Sequence, residues 1–216
     1  MFSLLKPFIF KIDPEMAHDL AIKSLKYNFL PEEIFRVENE SILESKIFDT
    51  KIKNPIGLAA GFDKSAEVYN SLFKFGFGFV EVGTVTPKEQ FGNPKPRVFR
   101  LENDRALINR LGFNNDGLEK VSKRLQKNSP TNFLGVNIGP NKDSKNRMDD
   151  YLKCIKEIYN FANYITINIS SPNTPGLRDF HDKSTLQNLL KNITEFTKKN
   201  EIRKPLALKV YPDIAD

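Results

Sequence analysis

The residues best suited to chemistry gather in one stretch, Tyr164 to Arg178, which reads YITINISSPNTPGLR. β-Branched Ile165, Thr166, Ile167 and Ile169 mark its first half as a short buried strand. That strand runs into Asn168, Ser170, Ser171, Asn173 and Thr174, broken by Pro172, Pro175 and Gly176. In barrels of alternating strands and helices the C-terminal strand ends face the active site, so amides and hydroxyls there read as ligand groups. The same composition also suits an ordinary strand followed by an Asn/Ser/Pro turn. What separates the two readings is whether other strands end in the same way.

They do. Gly61, Asp63 and Lys64 follow an expected strand at Ile56 to Ala60, and Gly83 and Thr84 follow one at Gly78 to Val82. The expected strand Phe133 to Ile138 carries Asn137 and leads into Gly139, and Leu206 to Val210 carries Lys209. Glycine lets backbone approach a ligand closely, while Lys, Asn and Thr supply donors. Lys64, Lys209, Asn109, Asn137, Asn168, Asn173 and Thr84 form a set rich in donors and short of carboxylates, with Asp63 the nearest acid. This argues against metal-assisted hydrolysis and paired-carboxylate glycoside chemistry and suits an anionic, carbonyl-rich ligand or a phosphate. Ser171 has no histidine close in sequence; His181 lies further on, and the setting is unlike the GxSxG elbow of α/β hydrolases.

The elements that must position these residues follow from periodicity. Helical patterns fall near Ala66 to Phe75, Gly117 to Gln126, Asp149 to Ala162 and Thr185 to Lys198, each between two strands. Strands alternating with helices make a parallel sheet, because a parallel neighbour is reached only by a crossover. No GxGxxG follows the first strand, so the expected fold is an α/β protein of the β/α (TIM) barrel type rather than a doubly wound sheet. KIFDTKIK, from Lys46 to Lys53, predicts a small hairpin turning at Asp49-Thr50. The insertion from Thr86 to Asn115 reads as a strand pair or lid over the site.

The first residues differ in character. Phe2, Leu4, Leu5, Phe8, Ile9 and Phe10 are interrupted by Lys6 and Lys11, which suits neither a spanning helix nor a signal peptide. Asp13 is placed to cap a helix with Pro14 at its first position, and Met16, Ala17, Leu20, Ala21 and Leu25 recur at helical spacing. Such a basic amphipathic helix can lie in a membrane interface or pack on the domain behind it.

Composition sets the outer limits. With 216 residues, 39% of them hydrophobic and 28% charged, the chain is an ordinary globular one. The net charge of +6 comes from lysines dispersed over helix faces, not from a basic run of the kind that binds nucleic acid. A single cysteine, Cys154, excludes a disulfide within the chain, and two histidines exclude a multi-His metal site.

The motifs NPIGLAAGFDK, VEVGTVTP, GNPKPRVFR, INRLGFNN, VNIGPNK and NISSPNTPGLR, in this order, resemble the dihydroorotate dehydrogenases, in particular the quinone-dependent, membrane-associated class. The resemblance covers essentially the whole chain, including MAHDLAIKSL. It implies an FMN-binding barrel preceded by an N-terminal helical extension, residues 1–40 being the extension and 41–216 part of the barrel. It implies oxidation of dihydroorotate to orotate in pyrimidine synthesis, with electrons passing through FMN to a quinone. By the same resemblance Ala60, Gly61, Lys64, Thr84, Asn137, Asn168 and Lys209 contact FMN. Lys64, Asn109, Arg110, Leu111, Gly112, Phe113, Asn168 and Asn173 surround the substrate, and Ser171 is the catalytic base. Relatives that use soluble acceptors carry cysteine there, so Ser171 points to the quinone class. His18 and Arg100 match positions along a quinone tunnel, although His18 also suits plain helix packing. The resemblance implies peripheral attachment to a membrane, either the cytoplasmic face of a bacterial inner membrane, which the lack of an Arg/Ser-rich transit peptide favours, or the mitochondrial inner membrane of a eukaryote. The family's remaining strands, with their further substrate and phosphate motifs, do not occur before Asp216, so the chain reads as the N-terminal part of such an enzyme, for which an inactive or merely flavin-binding fragment is the alternative.

Overall fold

The structure is a computed structural model that describes residues 2–29 and 41–212. The end of the expected extension, residues 30–40, and residues 213–216 lie outside the described residues. Two helices lead: α1 (Phe2–Ile9) and α2 (Pro14–Lys26). Asp13 caps α2 as expected, its carboxylate accepting from the Glu15 and Met16 amides at 2.9 and 3.0 Å. A hairpin of β1 (Ser45–Ile47) and β2 (Thr50–Ile52) follows. Its turn is one residue earlier than the sequence suggests: Ile47 pairs with Thr50, and Phe48 and Asp49 both take positive φ, as a two-residue hairpin turn requires.

The sheet then builds in chain order. β3 (Gly57–Leu58), β4 (Phe79–Val85), β7 (Phe133–Ile138), β8 (Tyr164–Asn168) and β9 (Leu206–Lys209) pair side by side, every pair parallel. The crossovers are α3 (Tyr69–Lys74), α4 (Leu118–Lys127), α5 (Arg147–Ile158) and α6 (Lys183–Lys199). An order that never reverses has no switch point, which is the winding of a β/α barrel and not of a doubly wound sheet. Five strands do not close a barrel, and among the described residues β3 and β9 stand at the two edges.

Alternation along the strands separates the two faces. Val80, Val82, Leu134, Val136, Ile138, Ile165 and Ile167 face the helices and are buried with Val121 and Leu125 of α4 and Tyr151, Cys154, Ile155 and Ile158 of α5. The three- and four-residue spacing of these helical positions is why the segments are helices with one apolar stripe. The opposite face starts with Phe133 and Tyr164, stacked at 5.7 Å and closed from below by Ile52 of the hairpin. That plug fills one end of the concave face and leaves the other open to a ligand.

Several boundaries moved, the third crossover helix ending at Ile158 and not Ala162, and three of the shifts have clear local reasons. The first strand stops at Leu58, not Ala60, because the chain turns to donate the Gly61 amide to the Gly83 carbonyl at 2.9 Å. The first crossover helix begins at Tyr69, not Ala66: Ala66 has φ +52, and Asp63 holds the Glu67 and Val68 amides at 2.8 Å in the preceding turn. β4 continues to Val85 through a shift of register between Val82 and Val85. The insertion does form a strand pair, β5 (Val98–Leu101) with β6 (Ala106–Asn109).

Removing core volume should be costly here and surface change should not. Ile155→Ala is expected to cost about 2–5 kcal/mol, seen as a lower urea midpoint at unchanged slope. Exposed Lys156→Ala, one residue on, should change stability by less than about 0.5 kcal/mol.

Candidate functional site

The open end of the concave face is lined by side chains from adjacent strands. The register shift in β4 brings the Thr84 hydroxyl to Asn137 of β7, where it donates to Oδ1 at 2.7 Å. Asn168 of β8 donates through Nδ2 to the same Asn137 oxygen and to Thr84 Oγ1, both at 3.0 Å. Asn168 Oδ1 in turn accepts from the Ser170 amide and hydroxyl at 3.0 and 2.8 Å. Asn137 is 0% exposed and Asn168 4%, so these amides are held by one another and not by solvent. Lys209 is register-paired with Asn168 and shares its face of the sheet.

Two loops frame this cluster. The Gly61 to Lys64 loop is pinned to β4 at both ends, the Gly83 amide donating back to the Asp63 carbonyl at 3.0 Å. Gly61 has φ +114 and open space where a Cβ would stand, and Ala60 beside it is half-buried. The second loop, 169–177, carries Ser171, whose Oγ accepts from the Asn173 amide at 3.2 Å. The Thr174 Oγ1 is buried and finds no partner among the described residues. His181 bonds the Ile169 carbonyl at 3.1 Å, not Ser171, so a serine–histidine pair is not formed.

The residues of INRLGFNN fall into two groups. Phe113, at φ +56, lies over Gly139 and beside Thr84, since a Cβ on Gly139 would come within 3.0 Å of both. Gly112 is buried, its carbonyl accepting from Gln90 Nε2 at 3.0 Å, and Leu111 is half-buried. Asn109 and Arg110 are exposed, and the Arg110 guanidinium is turned onto the Pro96 carbonyl at 2.9 Å and over the Phe99 ring.

A cavity of about 620 Å³ opens between α2, the Gly61 to Ser65 loop and the β5–β6 pair. His18, Ile22, Phe62, Lys64, Arg100 and Leu111 are among its lining residues. His18 both packs and lines: its ring meets Phe62 edge-on at 5.1 Å. Burial, reinforced by the Lys64 charge, pushes the His18 pKa down, and burial likewise lowers that of Lys64. Arg100 donates to the Ile12 carbonyl at 2.7 Å and lies over Phe10. Arg97, 6% exposed, grips Glu15 of α2 at 2.8 Å and the Asn93 carbonyl at 2.9 Å, and its guanidinium holds the Glu15 carboxyl below the usual range. The helical wall of the cavity is thus held by ion pairs, Arg97 with Glu15 and Lys26 with Glu67 at 2.7 Å, beside the packing of Leu25 and Ile22.

The expectation of Asp63 as the nearest acid is corrected. Its carboxylate is spent on the Glu67 and Val68 amides, away from the strand ends, and burial pushes its pKa up. The carboxylate on the concave face is Glu81, which accepts from Asn137 Nδ2 at 2.9 Å, Tyr164 Oη at 2.9 Å and Thr166 Oγ1 at 2.8 Å. A lone acid at an inward position between Phe79 and Gly83 was the signal in the sequence.

The family model described as dihydroorotate dehydrogenase matches residues 42–216. The chain belongs to the dihydroorotate dehydrogenase family. Among relatives named dihydroorotate dehydrogenase (quinone), that of Idiomarina loihiensis is 44% identical over 223 residues, covering 100% of this chain and 67% of the relative. That of Bartonella tribocorum is 49% identical over 212 residues, covering 96% and 58%. The crystal structure of the Eimeria tenella enzyme with ferulenol superposes with a TM-score of 0.86 at 40% identity, over 94% of this chain and 60% of that one. Its ligand-free form gives 0.85, over 94% and 63%. The chain thus spans between 58% and 67% of the length of these relatives.

The lowered His18 pKa has a measurable sign. Its folded value lies below the ordinary 6.5, so on acidification the unfolded chain binds a proton first. Its contribution to stability is full above about pH 6.5 and is lost as pH falls through the folded value. Between about pH 7.5 and pH 5, the urea midpoint should fall less in His18→Phe than in the unchanged protein.

Proposed function

We propose that this chain carries part of the flavin and substrate site of a quinone-dependent dihydroorotate dehydrogenase, which oxidises dihydroorotate to orotate in pyrimidine synthesis. The observation that carries the reading is the mutually bonded Thr84, Asn137 and Asn168 cluster at adjacent strand ends, with Ser171 buried on the loop that follows. The names of the relatives supply the substrate and the acceptor.

The donor set fits FMN. Asn137 spends one amide hydrogen on Glu81 and keeps another, Thr84 keeps a lone pair, and Gly61 exposes backbone without a side chain. Ala60, Gly61, Lys64, Thr84, Asn137, Asn168 and Lys209 would hold the cofactor, which when bound supplies the hydride acceptor and the route of electrons to the quinone. Lys64, Asn109, Arg110, Leu111, Gly112, Phe113, Asn168 and Asn173 would surround the substrate. Ser171 Oγ would take the C5 proton as the C6 hydride departs. Serine is a weak base, so its own proton must leave as the new one arrives, through water or the unpartnered Thr174 hydroxyl. Lys64 and the Asn amides would stabilise the negative charge developing on the substrate carbonyl.

The cavity behind α2, with His18 and Arg100, would admit the quinone, α2 belonging to the proposed extension of residues 1–40. Phe8, Met16 and Leu20 are exposed on the helices near Lys11 and Lys23, a pattern suited to peripheral attachment at an anionic surface. No helix among the described residues is long and apolar enough to cross a membrane. A flavin-binding unit without turnover is the second reading, favoured by Arg110, an expected substrate ligand whose guanidinium is turned onto the Pro96 carbonyl.

Two experiments test this. The purified chain, incubated with FMN and freed of excess, should show a shifted, stoichiometric flavin spectrum that dihydroorotate bleaches anaerobically. Ser171→Ala should keep the spectrum and slow bleaching by about 10²–10⁴-fold; bleaching at an undiminished rate would remove Ser171 as the base, and binding without bleaching would favour the second reading. Separately, Met16→Ser with Leu20→Ser should weaken binding to phosphatidylglycerol vesicles at least about tenfold, since each removes an exposed apolar side chain that the membrane would bury. Undiminished binding would refute attachment through α2.

A further inference from the structure

Glu81 sits one layer below the strand-end cluster, and its three partners come from β7 and β8. Tyr164 is on β8, two strands away from Glu81 on β4, and reaches it only because the residue between them is Gly135. A Cβ at Gly135 would stand 2.1 Å from Tyr164 Cζ and 2.5 Å from its Oη. The sequence thus leaves a gap in β7 through which a tyrosine is laid across the sheet onto a carboxylate. Burial, with Glu81 beside it, pushes the Tyr164 pKa up and keeps the phenol a donor.

The consequence lies at Asn137. A carboxamide has two orientations that differ only in which end is the donor, and the hydrogen-bond network decides between them. With Nδ2 on Glu81, Asn137 must present Oδ1 to Thr84 and Asn168. In the reverse orientation Oδ1 would face the Glu81 carboxylate and Nδ2 would face the Asn168 amide, acceptor against acceptor and donor against donor. The choice propagates: Asn168 then spends both Nδ2 hydrogens on Thr84 and Asn137 and turns Oδ1 to Ser170, at the start of the Ser171 loop.

We infer that Glu81 is a positioning residue of the flavin site, which sets the donor–acceptor polarity of Asn137, Thr84 and Asn168. It touches none of the reacting atoms; its effect is to give the cluster one hydrogen-bond pattern in place of two. The inference rests on the proposed flavin site for its consequence, though not for the polarity itself.

The test uses the whole chain, without flavin and then with FMN. In the flavin-free protein, the side-chain amide resonances of Asn137 should include one proton slow to exchange with water. Glu81→Leu should abolish that protection and weaken FMN binding, followed by flavin fluorescence, at least tenfold. Tyr164→Phe removes an equally buried hydrogen bond from Glu81 but leaves Asn137 its acceptor, so it should keep the protection and bind FMN within twofold of the unchanged chain. Should Glu81→Leu not fold, Glu81→Gln replaces it, and two Asn137 amide environments are expected because a carboxamide can meet either end of Asn137. Unchanged Asn137 protection in a folded Glu81 variant would overturn the inference, as would equal FMN loss in Tyr164→Phe. An unchanged chain that bound no FMN would refute the proposed function, while the flavin-free amide measurement would still decide the role of Glu81.

Discussion

Parallel register between β4, β7 and β8 is the constraint on which the site depends, because it decides which residues share a level and a face. Pairing Val82 with Val136, and Asn137 with Thr166, would by itself leave Thr84 out of step with Asn137. The shift between Val82 and Val85 removes that mismatch, and Gly83 makes it possible: at φ +110, with the Asn137 carbonyl 2.3 Å from where a Cβ would be, no other residue fits. A polar cluster this deeply buried is stable only when its donors and acceptors match. Register supplies the proximity, and the Glu81 contact below supplies the match.

The second dependence runs outward through the ion pair of Glu15 and Arg97. Helix α2 buries few apolar side chains: Leu25 is its one buried residue, with Ile22 packed partly buried against the core. Much of what docks it is directional, with Arg97 bridging Glu15 to backbone carbonyls of the insertion, Arg100 holding the carbonyl of Ile12, and Lys26 paired with Glu67. Guanidinium donors are spread over a rigid plane, so they fix an angle between elements as well as a distance. A helix held in this way can wall a cavity without filling it, which closer apolar packing would do. The insertion, by contrast, is tied to the sheet by the buried amides of Asn115 and Asn141, which share the Thr86 hydroxyl as their acceptor.

Much of this was legible in the sequence where a single local rule governs. The β7 strand was read to the residue, and Asp13 with Pro14 announced the start of α2, because runs of buried apolar residues and caps are local signals. The hairpin turn and the first crossover helix were misplaced by residues whose backbone is decided elsewhere: positive φ at Phe48 and Ala66 is uncommon outside glycine, asparagine and aspartate. Asp63 was misread for a related reason. Its type and position suit a ligand, but two amides in the next turn claim it, and side-chain capture of local backbone is seldom visible in spacing alone. Gly135 and Tyr164 could not be joined at all from sequence, since their relation crosses strands.

The division between strand and loop also separates two kinds of task. Asn137 and Asn168 stand on strands flanked by a fully buried helical core, where a side chain moves only if the ladder does. That suits groups which must present fixed dipoles before any charge develops, since reorganisation during the reaction is the cost that fixed dipoles avoid. Ser171 stands on a loop of few backbone bonds, closed by Arg147 through the carbonyls of Pro175 and Gly176. Loops open at lower free energy than ladders, and in the proposed role of base Ser171 would need, to exchange its proton with water, access that a strand position denies. Rigid amides beneath and a serine on a tethered loop above are therefore complementary: the sheet holds the pattern of dipoles constant, and under the proposed function the loop would admit and release what is converted.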